Sequence, residues 1–263
     1  AEGQFFIAPL AALERRTADL YQGQRRVASY DIASALAGID LGALIGHYGE
    51  VRIGVKAGVL DPELDTGPQS LSPGDSRVTQ GAVTARLLLD QLDSVHFARS
   101  GWRYGASVFR STPQLGADVA NAKWDTDGSF AYSFGEHTVQ IAMKFGGKIG
   151  GDPLPRYDLF QWGGLGQQSG YATGQLLGEK LKYGRLTYYR RILRGTLLEG
   201  AYGGAAIEFG KVGNPLVPGS PEGLLKSALL FIAADSPLGP VYLGYGRAAD
   251  GNSSWYFYLG KPF

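Results

Sequence analysis

Few residues in this chain have the type and spacing that chemistry requires. The three histidines, His47, His96 and His137, are scattered and lack the spacing of metal ligands. There is no cysteine, which removes disulfides, thiol catalysis and Cys-based zinc sites. Asp61, Glu63 and Asp65, and the pair Asp125 and Asp127, offer carboxylate oxygens to a divalent cation. The EF-hand pattern is absent, so they read as solvated loop charges. Asp127-Gly128 and Asp250-Gly251 resemble the acid–glycine pair of a hydrolase, but no Gly-x-Ser-x-Gly elbow exposes a nucleophile, and both read as turns. The expectation is no catalytic residue, no metal and no cofactor. A hydrolase whose Ser, His and acid converge on the rim of a larger scaffold stays open as an alternative.

A second set of charges falls in a pattern. Val51, Ile53, Val55, Ala57 and Val59 alternate with Arg52, Gly54, Lys56 and Gly58. Val83, Ala85, Leu87 and Leu89 alternate with Thr84, Arg86, Leu88 and Asp90, and Val139, Ile141, Met143 and Phe145 with Gln140, Ala142, Lys144 and Gly146. This period of two marks strands with one apolar and one polar face. It predicts an inward polar wall carrying Glu14, Arg16, Arg52, Lys56, Arg86, Asp90, Arg103, Lys144, Glu208 and Lys226. Both signs occur, as in an ion-paired lumen. A slip of one residue would put these groups on the opposite face, where mid-membrane Arg or Lys costs roughly 2–4 kcal/mol. The runs Arg15-Arg16, Arg25-Arg26 and Arg190-Arg191 are expected near lipid phosphates.

The elements that must hold such a wall are long strands. Forty glycines and fifteen tyrosines among 263 residues suit an all-β wall. The longest apolar run, 228–234, is far short of the ~20 residues of a spanning helix. Crossing a membrane would therefore require a closed barrel. About twelve strands are predicted, at 4–18, 24–41, 50–59, 77–91, 101–111, 119–133, 136–147, 176–193, 196–210, 224–235, 239–248 and 253–263. Many exceed the usual ~5–6 residues of a soluble strand. Long connections at 60–76, 148–175 and 211–223 alternate with short ones at 47–49, 134–135, 194–195 and 236–238, with 92–100 as the exception. Long outer loops and short inner turns are what a bacterial outer-membrane barrel shows. No linker divides residues 1–263, so they read as one barrel domain, and a net charge of +1 argues against nucleic acid. No signal peptide is present, and a chain beginning Ala1-Glu2-Gly3 reads as a mature or excised segment.

The last predicted strand places Trp255, Phe257, Leu259 and Phe263 on one face and Tyr256, Tyr258, Gly260 and Pro262 on the other. Its aromatics suit an interfacial girdle. The ending Tyr256 to Phe263 looks like the signal read by the outer-membrane barrel assembly machinery, with Lys261 as a departure from it.

The segment from Phe160 to Tyr171, followed by Leu177-Gly178-Glu179 and Arg185 to Arg191, resembles the C-terminal barrel of patatin-like autotransporters. These belong to the bacterial surface antigen superfamily, with the outer-membrane insertases and two-partner-secretion transporters. Phe5 to Pro9, Glu14-Arg15-Arg16 and the chain ending fit the same family. The resemblance implies that the loop carrying Gly163, Gly164, Ser169, Gly170 and Tyr171 folds back into the lumen. In the superfamily its tip is an Arg-Gly-aromatic triplet whose Arg meets an acid on the wall. Here Ser169 replaces the Arg and Glu208 occupies the acid position, which implies a hydrogen bond in place of an ion pair. The superfamily's barrels normally have sixteen strands, so this chain looks like the last twelve. The lipase activity of such proteins sits in a separate N-terminal domain, whose Gly-x-Ser-x-Gly elbow does not occur in residues 1–263.

The resemblance thus implies an outer-membrane anchor and translocator for an N-terminal passenger. Its expected partners are outer-membrane lipid, lipopolysaccharide and the barrel assembly machinery. A porin-like channel, natural or shortened from a larger barrel, is the first alternative. Closure would require the last strand to pair with the strand beginning near Gln4.

Overall fold

The alternating segments form one antiparallel up-and-down sheet in the computed structural model, which describes residues 4–69, 77–193, 200–216, 220–221 and 223–260. The strands are β1 (Phe5–Gln22), β2 (Arg25–Ile45), β3 (Gly49–Thr66), β4 (Val78–Asp90), β5 (Gly101–Ser111), β6 (Asn121–Phe134), β7 (His137–Lys148), the short β8 (Phe160–Trp162), β9 (Leu176–Leu193), β10 (Gly200–Pro215), β11 (Leu225–Ser236), β12 (Gly239–Ala248) and β13 (Ser253–Leu259). Each pairs with the next, except that β7 pairs with β9 and β8 branches from β9. Leaving β8 aside, the wall is the expected run of twelve strands, a transmembrane barrel fold. Among the described residues, no register joins β1 to β13.

Cross-strand register assigns the faces. Val55 lies opposite Ile39 and Val83, and Leu186 lies opposite Ile141 and Ile207. These side chains are exposed on the outer wall, as are Phe5, Leu13, Phe130, Leu230 and Phe257. An apolar belt of this extent marks a surface that meets something other than water. Burying such a side chain is worth about 1.5–3 kcal/mol, and here lipid supplies the burial.

The other face turns inward onto four apolar clusters. Ala18, Leu20, Tyr30, Ile32 and Leu60 on the first three strands meet Leu154, Leu159 and Leu177 across the interior. Trp162, Tyr171, Leu181, Tyr183 and Ala248 form a second cluster, and Leu165, Ala206, Leu229 and Tyr256 another. The fourth stacks Phe97 on Tyr202 at 4.2 Å, with Tyr189 and Ala233 beside it.

Several expectations are corrected here. Asp61, Glu63 and Asp65 lie within β3, not in a loop. Pro62 misleads because, among the described residues, β4 joins β3 only as far as Leu60, opposite Val78, and proline is tolerated along a strand edge. Asp127-Gly128 is mid-strand in β6, opposite Gly105 and Tyr104, and only Asp250-Gly251 is a turn. Lys226 is exposed on the outer wall, opposite Phe209, while its neighbour Ser227 faces inward opposite Glu208. Lys226 and Ser227 are polar at opposite parities and Ala228 to Ala234 is apolar at both, so alternation carries no face signal there. The arginine pairs are split by strand geometry, because successive side chains point to opposite faces. Arg15 faces out, 2.7 Å from Asp31, while Arg16 faces in and donates to the Tyr157 carbonyl. Arg190 is exposed and Arg191 lies over the Tyr202 ring. Phe263 and the expected turn at 194–195 lie outside the described residues.

Candidate functional site

The residues most densely tied together belong to the 149–175 segment, which leaves β7 and re-enters the interior before β9 begins. Its descent is anchored at the outer end. Asp158 is held by Lys123 at 2.8 Å and by Asn121 at 3.1 Å, and Glu179 accepts from the Leu154 amide, Asn214 and Lys148. Phe160 of β8 seats on Gly146, where an added Cβ would come within 2.6 Å of the ring. The chain then reverses at Gly163 and Gly164, whose φ values of 115° and 113° suit glycine.

The tip is Ser169-Gly170-Tyr171. Glu208 on β10 is fully buried and accepts from the Ser169 amide at 2.5 Å, the Ser169 hydroxyl at 3.1 Å and the Tyr183 hydroxyl at 2.9 Å. The Tyr256 hydroxyl on β13 donates toward the Ser169 and Tyr171 carbonyls, at 2.9 and 2.6 Å. Arg185, directly across from Glu208, donates to the Gly166 carbonyl at 2.8 Å, and Gln168 donates to the Leu225 carbonyl at 3.0 Å. Close approach requires small residues on both sides. A Cβ on Gly170 would stand 2.2 Å from the Ala248 amide, and one on Gly246 would stand 1.8 Å from the Ser169 carbonyl.

Tyr171 extends the contact to the outer turn after β12. Its hydroxyl donates to Asp250 at 2.6 Å. Burial raises the Tyr171 phenol above its ordinary value, and the hydrogen bond to Asp250 adds to that. Burial alone would raise the Asp250 carboxyl, but hydrogen bonds from Tyr171 and Asn252 outweigh it and hold the group below the usual aspartate value. The loop also reaches the far wall, where Gln175 donates to the Gly23 carbonyl in the β1–β2 turn at 2.7 Å.

Gly163, Gly164, Ser169, Gly170, Tyr171 and Glu208 are therefore brought together. The other named wall residues lie elsewhere in the lumen. Arg52 pairs with Glu50 at 2.8 Å and lies opposite Arg86. Arg103 stands between Asp90 at 3.8 Å and Asp127 at 3.6 Å, and Lys144 is 4.0 Å from Asp125. Lys56 lies over the Phe109 ring. Trp255, Phe257 and Leu259 point outward and are exposed, while Tyr256 between them is 7% exposed and faces in. Alternation alone gives the inward direction of Tyr256, but not its carbonyl partners. Gln168 and Arg185 fall within the segments of the family resemblance with no role attached, and Tyr183 and Phe97 fall outside them. The Phe97-Ala98 pair amid polar residues in 91–100 was the available signal, and both are buried, with the Tyr189 hydroxyl donating to the Ala98 carbonyl. Among the described residues, no group of acidic or histidine side chains is placed to hold a metal.

A wall of this topology has counterparts among known proteins. The Omp85 superfamily domain matches residues 10–198. The chain belongs to the Omp85 superfamily. Among solved structures, BamA from Haemophilus ducreyi lacking POTRA domains 1–3 matches 96% of this chain and 58% of its own, with a TM-score of 0.74 and 14% identity. CdiB from Acinetobacter baumannii matches 87% of this chain and 41% of its own, with a TM-score of 0.57 and 14% identity. At that identity the likeness is one of fold. The Omp85 chain described here thus spans less than two thirds of either. No curated protein sequence matches it. Within the Omp85 fold, the loop seated on Glu208 in the interior is the feature with functional content.

Proposed function

We propose that this chain is the bacterial outer-membrane module of an Omp85 protein that anchors and helps export an attached polypeptide, with its lumen shut at rest by the 149–175 loop. The observation that carries the reading is the loop tip seated on buried Glu208. A hydrophilic segment is held inside the barrel by a dedicated set of donors, with Phe97 filling the opposite end. A permanent open pore would have no use for such a plug, which weighs against the porin-like alternative. The finer identity, a translocator of a patatin-like autotransporter lacking four strands, rests on the resemblance of residues 160–191. The barrel assembly machinery as a partner rests on the aromatic chain ending. We read the chain as non-catalytic, and covalent labelling by a fluorophosphonate serine probe would overturn that.

Planar-bilayer recording tests the plug. The wild-type chain should show brief, small openings. A variant with 164–174 replaced by a short Gly-Ser turn should show steady channels, and Glu208→Ala should move toward it. That substitution leaves the Ser169 amide and hydroxyl without their acceptor, a loss of about 1–3 kcal/mol for a buried donor, while the Tyr183 hydroxyl keeps the Gly166 carbonyl at 2.6 Å. Steady wild-type currents unchanged by loop removal would sink the proposal and favour the porin-like alternative.

A further inference from the structure

Five basic side chains stand on the outer wall at the end of the barrel from which the loop enters. Lys180 and Lys182 on β9, Lys211 on β10, Lys226 on β11 and Arg247 on β12 are all exposed. On each strand the next outward residues toward the other end are mainly apolar: Leu186 on β9, Phe209 and Ile207 on β10, Leu230 on β11, Leu243 on β12. The cations therefore mark the border of the apolar belt. Lys182 lies directly opposite Lys211. Like charges so placed repel. None of the five has a carboxylate partner among the described residues.

The border is indented at one place. A groove of about 450 Å³ is lined by Phe209, Lys226, Ala228, Arg247, Ala249 and Gly251, among others. Ala228 lies opposite Arg247, and the Ala249 amide donates to the Lys226 carbonyl at 2.9 Å. Lys226 and Arg247 are thus diagonal neighbours on one face, at a separation of roughly 7–8 Å between backbones, close enough for both heads to reach one anion. Small residues form the recess, Phe209 supplies an apolar side, and the belt continues below. The pattern is a phosphate clamp above a seat for an acyl chain.

We infer that the groove between β10, β11 and β12 binds a phosphorylated glycolipid of the outer leaflet, its phosphate held by Lys226 and Arg247 and an acyl chain lying over Ala228 and Phe209. Lys180, Lys182 and Lys211 extend the anionic contact along the rim. The inference rests on the outer-membrane reading above and names a site that the plug does not use.

The test uses the full chain, refolded in detergent and presented with diphosphoryl lipid A, dephosphorylated lipid A or phosphatidylcholine, with adducts counted by native mass spectrometry. Diphosphoryl lipid A should be retained preferentially. K226Q/R247Q should lower its retention by about tenfold, as the loss of two charge-assisted contacts implies. Ala228→Phe keeps both charges but fills the recess, and should also lower it. Excess inorganic phosphate should not displace the lipid; displacement would make this a free-anion site and overturn the lipid assignment. Equal retention of phosphatidylcholine, or wild-type retention by both variants, would overturn it too. Heat-modifiable migration of every variant reads the barrel separately. A chain that never shows it fails as an outer-membrane protein, whereas a folded barrel without lipid preference fails only here.

Discussion

Glu208 is a carboxylate buried in a membrane wall, where an unpaired charge would be costly. It is accommodated because the Ser169 amide, the Ser169 hydroxyl and the Tyr183 hydroxyl all point at it. The arginine that the superfamily resemblance places at position 169 is absent, and the nearest cation, Arg185, is turned to the Gly166 carbonyl instead. The tip is therefore held by hydrogen bonds rather than by an ion pair, and its second hold, Tyr171 on Asp250, gains weight. That hold has a pH dependence with a definite sign. The Asp250 carboxyl lies below its ordinary value near 3.8, so the contact is complete above that value and is lost as pH falls through the folded value. The Tyr171 phenol is raised, so the contact is complete below the ordinary tyrosine value near 10.0 and is lost only as pH rises through the folded value. Channel recordings should show opening events rise below about pH 4, the ordinary carboxylate range. In Asp250→Asn that rise should be blunted. An identical acid response in both proteins would assign the opening to other carboxylates.

The strands show which parts of the architecture a sequence can carry. Period-two alternation in residues 51–59, 83–90 and 139–146 points the same way as the cross-strand register, because the apolar residues of each segment fall mainly at one parity. It failed at Lys226, where neither parity is polar enough to choose. It also ended β3 too early, because Asp61, Pro62 and Glu63 look like a loop unless their pairing with β2 is known. The Ser169–Glu208 pair was legible through resemblance alone, since no local rule links residues so far apart in the chain. Tyr256 and Phe97 were illegible as contacts for the same reason. β13 turns this into a prediction. Trp255 and Phe257 are 74% and 72% exposed on the outer wall, whereas Tyr256 serves the loop. Phe257→Lys should cost roughly 2–4 kcal/mol of folding stability in lipid vesicles if it sits at mid-membrane, and less near an interface. Tyr256→Phe keeps the packing and loses both carbonyl contacts, so it should leave insertion intact while raising channel activity. If denaturant titration in vesicles gave Phe257→Lys the same stability as wild type, β13 would not face lipid.

At the scale of the molecule, the open question of energy is the seam. Both ends of the strand path carry outward apolar side chains, Phe5, Ile7 and Leu13 on β1 and Trp255, Phe257 and Leu259 on β13. Both edges would therefore lie at membrane depth with backbone groups that lipid cannot satisfy, at several kcal/mol for each group left unpaired. The interior already ties the two sides together. The loop that Tyr256 holds from β13 also reaches Gly23 in the β1–β2 turn through Gln175, and packs Leu154 and Leu159 against Ala18 and Leu20 of β1. A barrel so cross-braced should bring its edges together in a bilayer. Cysteine pairs scanned between positions 5–9 on β1 and 255–259 on β13, starting with the inward pair Phe6→Cys and Tyr256→Cys, should form an intramolecular disulfide at one register in membranes. The product should migrate as a monomer with altered mobility. Disulfide-linked dimers at these positions would mean that the edges pair between copies. The absence of any cross-link across the scan would mean that the edge is satisfied by strands outside this chain, as expected if a sixteen-stranded wall were completed by residues upstream.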